Sequence, residues 1–409
     1  MNKVENTNIY TSIKDQANLP RYFRRIFKIL LNLKVGSIEV KLPDERIFKV
    51  YGENNGIDAR VDIIDPDCFA RLVRDGDIGF MEAYMDGQWS SPDLQNFMDV
   101  TFQNFHQLAT SFPGAGLVKL YEKLRHWLNS NSKRQAKKNI SYHYDLGNDF
   151  YKLWLDETMT YSSALFKEKK ETLSNAQINK YAQMCDEIGV KEGDHILEIG
   201  CGWGGFAEYA AGNRGANVKG LTISQEQHDF AVERINKAGL SDKVEIVMQD
   251  YRDEADQYDG IASIEMFEAV GEKYCPIYFD KVNSCLKPAA KATLQIITIP
   301  GDRFSDYRNS VDFIQKYIFP GGMLPTESRL KSEIKRVGLE YSNSIEFGKS
   351  YSETLRQWFD CFNAKWEDIS EMGFDDRFRR MWNIYLTSCA SAFEFDRTGL
   401  IQITMNKPK

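Results

Sequence analysis

Residues His195 to Phe206 read HILEIGCGWGGF, an apolar strand-forming run that passes through the closely spaced glycines Gly200, Gly202, Gly204 and Gly205 into a helix-like continuation. Glycine serves such a turn in two ways. It allows the tight reversal, and it lets a ligand approach the backbone where any side chain would intrude. An acid, Glu198, stands just before the first glycine.

Outward from this turn the chain alternates two patterns. Strand-like runs lie at His195–Ile199, Asn217–Ile223, Val244–Met248, Gly260–Glu265 and Ala292–Ile299, with helix-like stretches at Gly205–Ala211, Gln225–Ala238 and Tyr274–Leu286. That alternation predicts an α/β fold with a doubly wound sheet, Rossmann-like, whose ligand lies over the glycine turn. A dinucleotide site places an acid at the end of the second strand to hold the adenine ribose. Here that strand ends in LTIS, with Thr222, Ser224 and Gln227 in its place. The third ends in MQDYRD, where Asp250 is placed to accept from an adenine amino group and Tyr251 or Arg252 to cover the ring. Without a pyrophosphate pattern, the site reads as one for a methyl-donor nucleoside. Trp203 and Phe206 read equally well as packing residues.

At 409 residues the chain is long enough for two structural units. A net charge of −7 argues against nucleic acid as the main partner. The seven cysteines are odd in number, scattered and without a C-x-x-C pair, so neither a disulfide framework nor a metal site is expected. No apolar run is long enough to span a bilayer, and the polar start lacks the apolar core of a signal peptide, which leads to a cytoplasmic expectation.

Residues 1–20 read as a flexible N-terminus, 21–128 as a smaller α+β domain, 129–141 as a basic linker around SKRQAKK, and 142–409 as the sheet domain. In the α+β domain, SIEVKLP and RIFKVYG read as strands, and Asp67–Met98 and Leu117–Leu128 as helical. Arg21–Lys34 interleaves basic and apolar residues at helical spacing. Such a helix either lies on an anionic bilayer or packs its apolar face on its own domain. An aromatic insert at about 303–325, closed by Pro320-Gly321-Gly322 and Pro325, reads as a lid.

Taken together, SYHYDLGNDFYKLWLD, MTYSSALF, LEIGCGWGGFAEYA, LTISQEQ, QDYRD, EMFEAVG, KYIFPGGMLP and YLTSCASAF resemble the cyclopropane fatty acid synthase family and the related mycolic acid methyltransferases, over roughly Asp65 to Ile403. The resemblance implies a class I methyltransferase that uses S-adenosylmethionine and releases S-adenosylhomocysteine. It implies a lipid-associating N-terminal domain, a homodimer, peripheral contact with the inner face of the membrane, and action on double bonds in the acyl chains of unsaturated phospholipids. By the same resemblance the cofactor is lined by Tyr161 and Ser162, by Ile196, Leu197, Glu198, Ile199, Gly200, Cys201, Gly202, Trp203 and Gly204, by Thr222, Ile223, Ser224, Gln225, Glu226 and Gln227, and by Tyr251 with Arg252.

An alkene is a weak nucleophile, and the first product of its methylation is a carbocation, which aromatic faces and a carboxylate stabilise. Candidates are Tyr142, Tyr144, Tyr161, Phe267, Tyr317, Phe319, Trp358 and Phe359, with Glu268 as the carboxylate. Ring-forming relatives hold a bicarbonate base with a cysteine, a glutamate, a histidine and a tyrosine. Only Glu268 persists. The other positions fall on Ser163 and near Ile297 and Phe359, and Ala269 follows Glu268. A desolvated anion without donors is costly, so bicarbonate binding loses its support. The product expected is a cyclopropane or a methylated or methylene-bearing chain, and the hypothesis drawn from the altered cradle is methyl transfer without ring closure, the cation losing its proton to Glu268 directly or through water. Cys389 aligns with a cysteine traditionally assigned to the active site of the family, and His143 reads as a structural hydrogen-bonding residue. The competing readings are a small-molecule N- or S-methyltransferase of the same architecture, weakened by Ala269, and a cofactor-binding protein that has lost catalysis.

Overall fold

The computed structural model of the chain describes residues 9–109 and 146–409. The expected helix at Leu117–Leu128, the basic linker, Tyr142, His143 and Tyr144 lie outside the described residues. The chain divides into two units, one of residues 9–109 with 373–395, the other of residues 146–372 with 396–409.

The first unit is a five-stranded sheet of β1 (Ile9–Tyr10), β2 (Val35–Lys41), β3 (Ile47–Tyr51), β4 (Asn54–Ile63) and β5 (Trp89–Ser90), in the order β1-β3-β2-β4-β5. Residues read as a flexible start are tied down from Ile9 onward. Ile9 pairs with Ile47, and Arg46 donates to the carbonyls of Ala17 and Asn18 at 3.0 and 3.3 Å. The helix Phe23–Leu30 has the amphipathic pattern expected, and of its two readings the packing one is observed. Phe23, Ile26, Phe27 and Ile29 are buried, and the Phe23 ring meets Phe48 at 5.0 Å and Phe69 at 5.4 Å. Its apolar stripe therefore belongs to the core of the unit, while Arg24, Arg25 and Lys28 stay exposed. The helix Asp376–Glu394, assigned by sequence position to the sheet domain, packs instead on the helix Leu94–Gln103 of this unit. Its Ser391 hydroxyl donates to the buried Asp99 carboxylate at 2.6 Å.

The second unit is the expected doubly wound sheet. Its strands are β6 (His195–Ile199), β7 (Asn217–Thr222), β8 (Val244–Met248), β9 (Tyr258–Ile264), β10 (Leu286–Thr298), β11 (Glu340–Glu346) and β12 (Gly399–Asn406), in the order β11-β12-β10-β9-β6-β7-β8. Pairing is parallel from β10 through β8, and β12 runs antiparallel between β10 and β11. Both faces are covered, so the central strands read as continuous apolar runs. Leu197, Ile261, Leu294 and Ile403 lie in one core cluster, and Ile196, Val218, Ala262 and Phe206 in another. This topology brings Gly200, Thr222 and Glu265, which follow or end parallel strands, to one carboxyl edge, where open α/β sheets bind ligands. No helix among the described residues is long and apolar enough to cross a membrane.

Candidate functional site

The turn after β6 takes the left-handed conformations that its glycines permit, with φ of 83° at Gly200 and 51° at Gly202. A Cβ at Gly200 would lie 2.7 Å from Met266 Cγ, whereas at Gly202 nothing stands within 4 Å. Gly202 thus opens the backbone to a ligand, and Gly200 is confined by the next loop. Glu198 is fully buried, which pushes its carboxyl well up despite the charges of Arg234 and Lys180. Its Oε2 accepts no hydrogen bond among the described residues. An open glycine turn beside an unsatisfied buried oxygen fits a polar nucleoside ligand.

At the end of β7, Thr222 Oγ1 donates to Gln227 Oε1 at 3.0 Å, and Ser224 caps the helix Gln225–Lys237. Gln225 turns outward to Asp229, and Glu226 receives the Asn148 amide at its carbonyl, 3.1 Å away. After β8, Arg252 grips both oxygens of Asp250 at 2.8 and 2.6 Å and lies over the rings of Tyr251 and Tyr274. Asp250, expected to face an adenine amino group, is therefore oriented first by Arg252. The Ile196 and Leu197 side chains are wholly inside the sheet core, so they position the turn rather than line it. Phe206 is buried in the same way. The Cys201 thiol is pushed well up by burial, the mark of an inert thiol.

Tyr161 sits in an aromatic wall, its ring 5.3 Å from Tyr151, 5.7 Å from Trp154 and 5.2 Å from Trp358. Trp203 joins it at 5.1 Å from Tyr151 and donates its indole N–H to Asn148 at 2.7 Å. The neighbouring Ser162 is held from the helix Leu173–Ile188, with its hydroxyl receiving Lys180 Nζ at 2.7 Å and its carbonyl receiving the Gln177 amide at 2.9 Å. Lys180 is entirely buried. That burial brings its ammonium down to about 7, against the raising influence of Glu265, Asp156 and Glu198.

Two further acids lie beyond β9. Glu265 has a φ of 48°, a left-handed conformation that a non-glycine residue rarely takes. Its Oε1 receives the Ser163 N–H at 2.9 Å and the Gln295 amide at 2.8 Å, and its Oε2 receives the Tyr351 hydroxyl at 2.7 Å. Glu268 lies in the 3-10 turn Phe267–Ala269. Its Oε1 receives the Ile297 backbone N–H, while its Oε2 has no partner among the described residues. Burial, reinforced by the charge of Glu265, pushes the Glu268 carboxyl up to about 8.

The structure thus gathers Tyr161, Ser162, Ser163 and Glu268 with the glycine turn in one unit. The Ser163 hydroxyl donates to the Ala164 carbonyl at 2.8 Å, so the group directed at its neighbours is the backbone N–H. Tyr317 is half-buried in the insert and packs on Phe313 at 5.0 Å. The insert folds back on the acid turn, Met323 N–H donating to the Glu268 carbonyl at 3.0 Å. Cys389 lies on the helix Asp376–Glu394 and so is not among the residues that the sheet unit gathers.

Sequence reasoning passed over Lys180, Glu265, Gln295 and Tyr351. Two signals were available. Gln177 and Lys180 share the buried stripe of Ala176, Tyr181 and Met184, and Glu265 and Glu268 are three residues apart at a strand end. Among the described residues no group of three or more ligating side chains is arranged to hold a metal ion.

A family model described as mycolic acid cyclopropane synthetase matches residues 131–403. Tuberculostearic acid methyltransferase UfaA1 of Mycobacterium tuberculosis is 38% identical over 359 residues, covering 83% of this chain and 80% of that protein. Cyclopropane-fatty-acyl-phospholipid synthase of Escherichia coli K12 is 36% identical over 388 residues, covering 90% and 96%. Among solved structures, mycolic acid cyclopropane synthase CmaA1 complexed with SAH and CTAB matches with a TM-score of 0.62 at 27% identity, over 66% of this chain and 98% of that one.

Proposed function

The chain belongs to the mycolic acid cyclopropane synthetase family, and from that premise we propose that it methylates a double-bond carbon in the unsaturated acyl chain of a phospholipid, leaving a methylated or methylene-bearing chain. The observation that carries this reading is a buried acid pair, Glu265 and Glu268, on the same sheet edge as the open glycine turn. Relatives named for methyl transfer to fatty acids and for cyclopropane formation on phospholipid acyl chains support the broader statement, an S-adenosylmethionine-dependent methyltransferase that modifies lipids. The cofactor, when bound, supplies an electrophilic methyl group and leaves as S-adenosylhomocysteine.

The chain's own residues do the rest. The bare backbone at Gly202, the unsatisfied Glu198 Oε2 and the Thr222–Gln227 pair hold the nucleoside. The wall of Tyr151, Trp154, Tyr161 and Trp358 excludes water, and its ring faces lower the energy of positive charge on the methylated acyl carbon. The acid pair receives the proton that this cation loses. Ring closure is disfavoured because Ile297 and Phe359 offer no side-chain donor to hold an external anion. We further propose peripheral membrane contact through exposed basic residues such as Arg24, Arg25 and Lys28, with the apolar stripe of that helix committed to its own core.

The test is incubation with labelled S-adenosylmethionine and unsaturated phospholipid, followed by mass spectrometry of the acyl chains. Methylated or methylene chains are expected, and cyclopropane chains alone would overturn the product assignment.

A further inference from the structure

The two buried carboxyls are held very differently. Glu265 receives three donors from three separate parts of the chain: the Ser163 backbone, the Gln295 side chain on β10 and the Tyr351 hydroxyl on the helix Gly348–Ala364. Three groups donating together stabilise a carboxylate, and two of them, the Ser163 N–H and the Gln295 amide N–H, cannot accept from a neutral acid's hydroxyl. Glu268 is reached only by backbone N–H groups, that of Ile297 and, with less effect, its own, and keeps an oxygen with no partner among the described residues. A residue of glutamate's bulk at a φ of 48° is strained, and such strain persists where the surroundings over-determine the side chain, a situation that clusters at active sites.

We propose that Glu265 carries the single negative charge of the pair and is the proton acceptor of the reaction, with Glu268 its neutral partner. The assignment rests on the lipid methylation proposed above. Burial raises the Glu265 carboxyl, and Tyr351, Lys180, Ser163 and Gln295 each draw it back towards the charged form, whereas for Glu268 burial is joined by the charge of Glu265, which opposes its ionisation. One lone pair of Glu265 Oε2 remains once Tyr351 is counted, enough to take a proton. In the step, a C–H bond next to the cationic carbon breaks, its electron pair forms the new C=C bond, and the proton passes to Glu265. No external base is needed. The chain brings its own anion, fixed by the Ser163 N–H, the Gln295 amide and the Tyr351 hydroxyl.

The experiment compares wild type, Glu265→Gln and Glu268→Gln. Infrared difference spectra at pH 7 should show Glu265→Gln losing a carboxylate band and Glu268→Gln losing a protonated carboxyl band. Turnover of unsaturated phospholipid should fall at least 100-fold in Glu265→Gln and no more than tenfold in Glu268→Gln, with S-adenosylhomocysteine affinity by calorimetry within threefold in both. Wild-type turnover should be the same in buffer stripped of bicarbonate. Should Glu265→Gln not fold, Glu265→Gly suits the positive φ and serves in its place. Exchanged infrared bands, wild-type turnover in a folded Glu265 variant, or a wild type that stops without bicarbonate would each overturn the assignment. A wild type inert on every unsaturated phospholipid would overturn the function itself, whereas an active wild type with an active Glu265→Gln would overturn the base alone.

Discussion

Lys180 Nζ donates to Ser162 Oγ at 2.7 Å inside the sheet unit, so a fully buried ammonium fixes the residue next to Tyr161. The same ammonium acts on Glu265, Asp156 and Glu198 through its charge. The acids around this buried cation offset only part of its lost hydration, which is why its ammonium lies at about 7.

Replacing Lys180 with Met should therefore do more than loosen one loop. It removes the positive charge that draws the Glu265, Asp156 and Glu198 carboxyls down and takes the donor from the Ser162 hydroxyl, and breaking a buried ionic arrangement on one side typically costs about 3 kcal/mol or more. Thermal unfolding of the variant should fall by several degrees, with a matching loss of S-adenosylhomocysteine affinity. A wild-type melting temperature would show that the lysine is not held there by charge.

The two glycines of the turn should fail in different ways. Gly200→Ala places a Cβ 2.7 Å from Met266 at a positive φ, so it should lower stability by about 1–2 kcal/mol as well as weaken ligand binding. Gly202→Ala meets no atom within 4 Å, so its stability loss is limited to the cost of the backbone conformation. Its methyl group nevertheless points into the space assigned to the nucleoside. Calorimetry with S-adenosylhomocysteine should find at least a tenfold loss of affinity. Unchanged affinity in Gly202→Ala would remove the ligand from that side of the turn.

Glu268 makes stability depend on pH in a direction that can be worked out. Its carboxyl is pushed up to about 8 in the fold, against the ordinary glutamate value of 4.5 in the open chain. Between those values the folded protein holds a proton that the unfolded chain has released, so stability falls as pH rises through that window and levels off above about 8. Glu268→Gln carries no such proton. The variant should match wild type near pH 4.5 and become progressively more stable than it by several kcal/mol towards pH 8. Parallel curves of unfolding free energy against pH would refute the raised value.

Cys389 should prove dispensable. It lies on the helix that packs with the first unit, and methyl transfer to an alkene requires no thiolate. Cys389→Ala is expected to keep turnover within twofold of wild type. A large loss with unchanged folding would return the thiol to the mechanism.

Much of this was legible in the residues, and the parts that were not share a cause. The glycine turn and the strands β6 to β10 announce themselves by local pattern, because both tight turns and doubly covered strands impose strict residue choices. Strands β11 and β12 escaped notice, since β12 follows β10 in the sheet only after about a hundred intervening residues. Glu268 was found through its motif. Its partner Glu265 was not, because its importance lies in donors from Ser163, Gln295 and Tyr351, which lie 102, 30 and 86 residues away along the chain. Local periodicity cannot register such convergence. The helix Phe23–Leu30 illustrates the converse: an amphipathic pattern is the same whether its apolar face meets a bilayer or Phe48 and Phe69.

Tyr351 offers the sharpest separation of orientation from chemistry. Its hydroxyl donates to Glu265 Oε2 at 2.7 Å, a bond that favours the ionised acid. Tyr351→Phe keeps the ring, 6.3 Å from Trp358, and deletes that donor alone from the carboxylate. Burial already raises the Glu265 carboxyl, and with the anion less stabilised it rises further, so a larger fraction is protonated on the acidic side and fewer molecules there hold a competent base. On the acidic limb of the rate profile turnover should drop about tenfold, in line with a charge-assisted bond worth roughly 1.5–3 kcal/mol. The acidic limb of the rate profile should move upward by about one pH unit, so that raising the pH restores much of the loss. The KM for lipid and the affinity for S-adenosylhomocysteine should stay within twofold. A uniform loss at every pH would mean that the tyrosine supports the fold rather than the charge on Glu265.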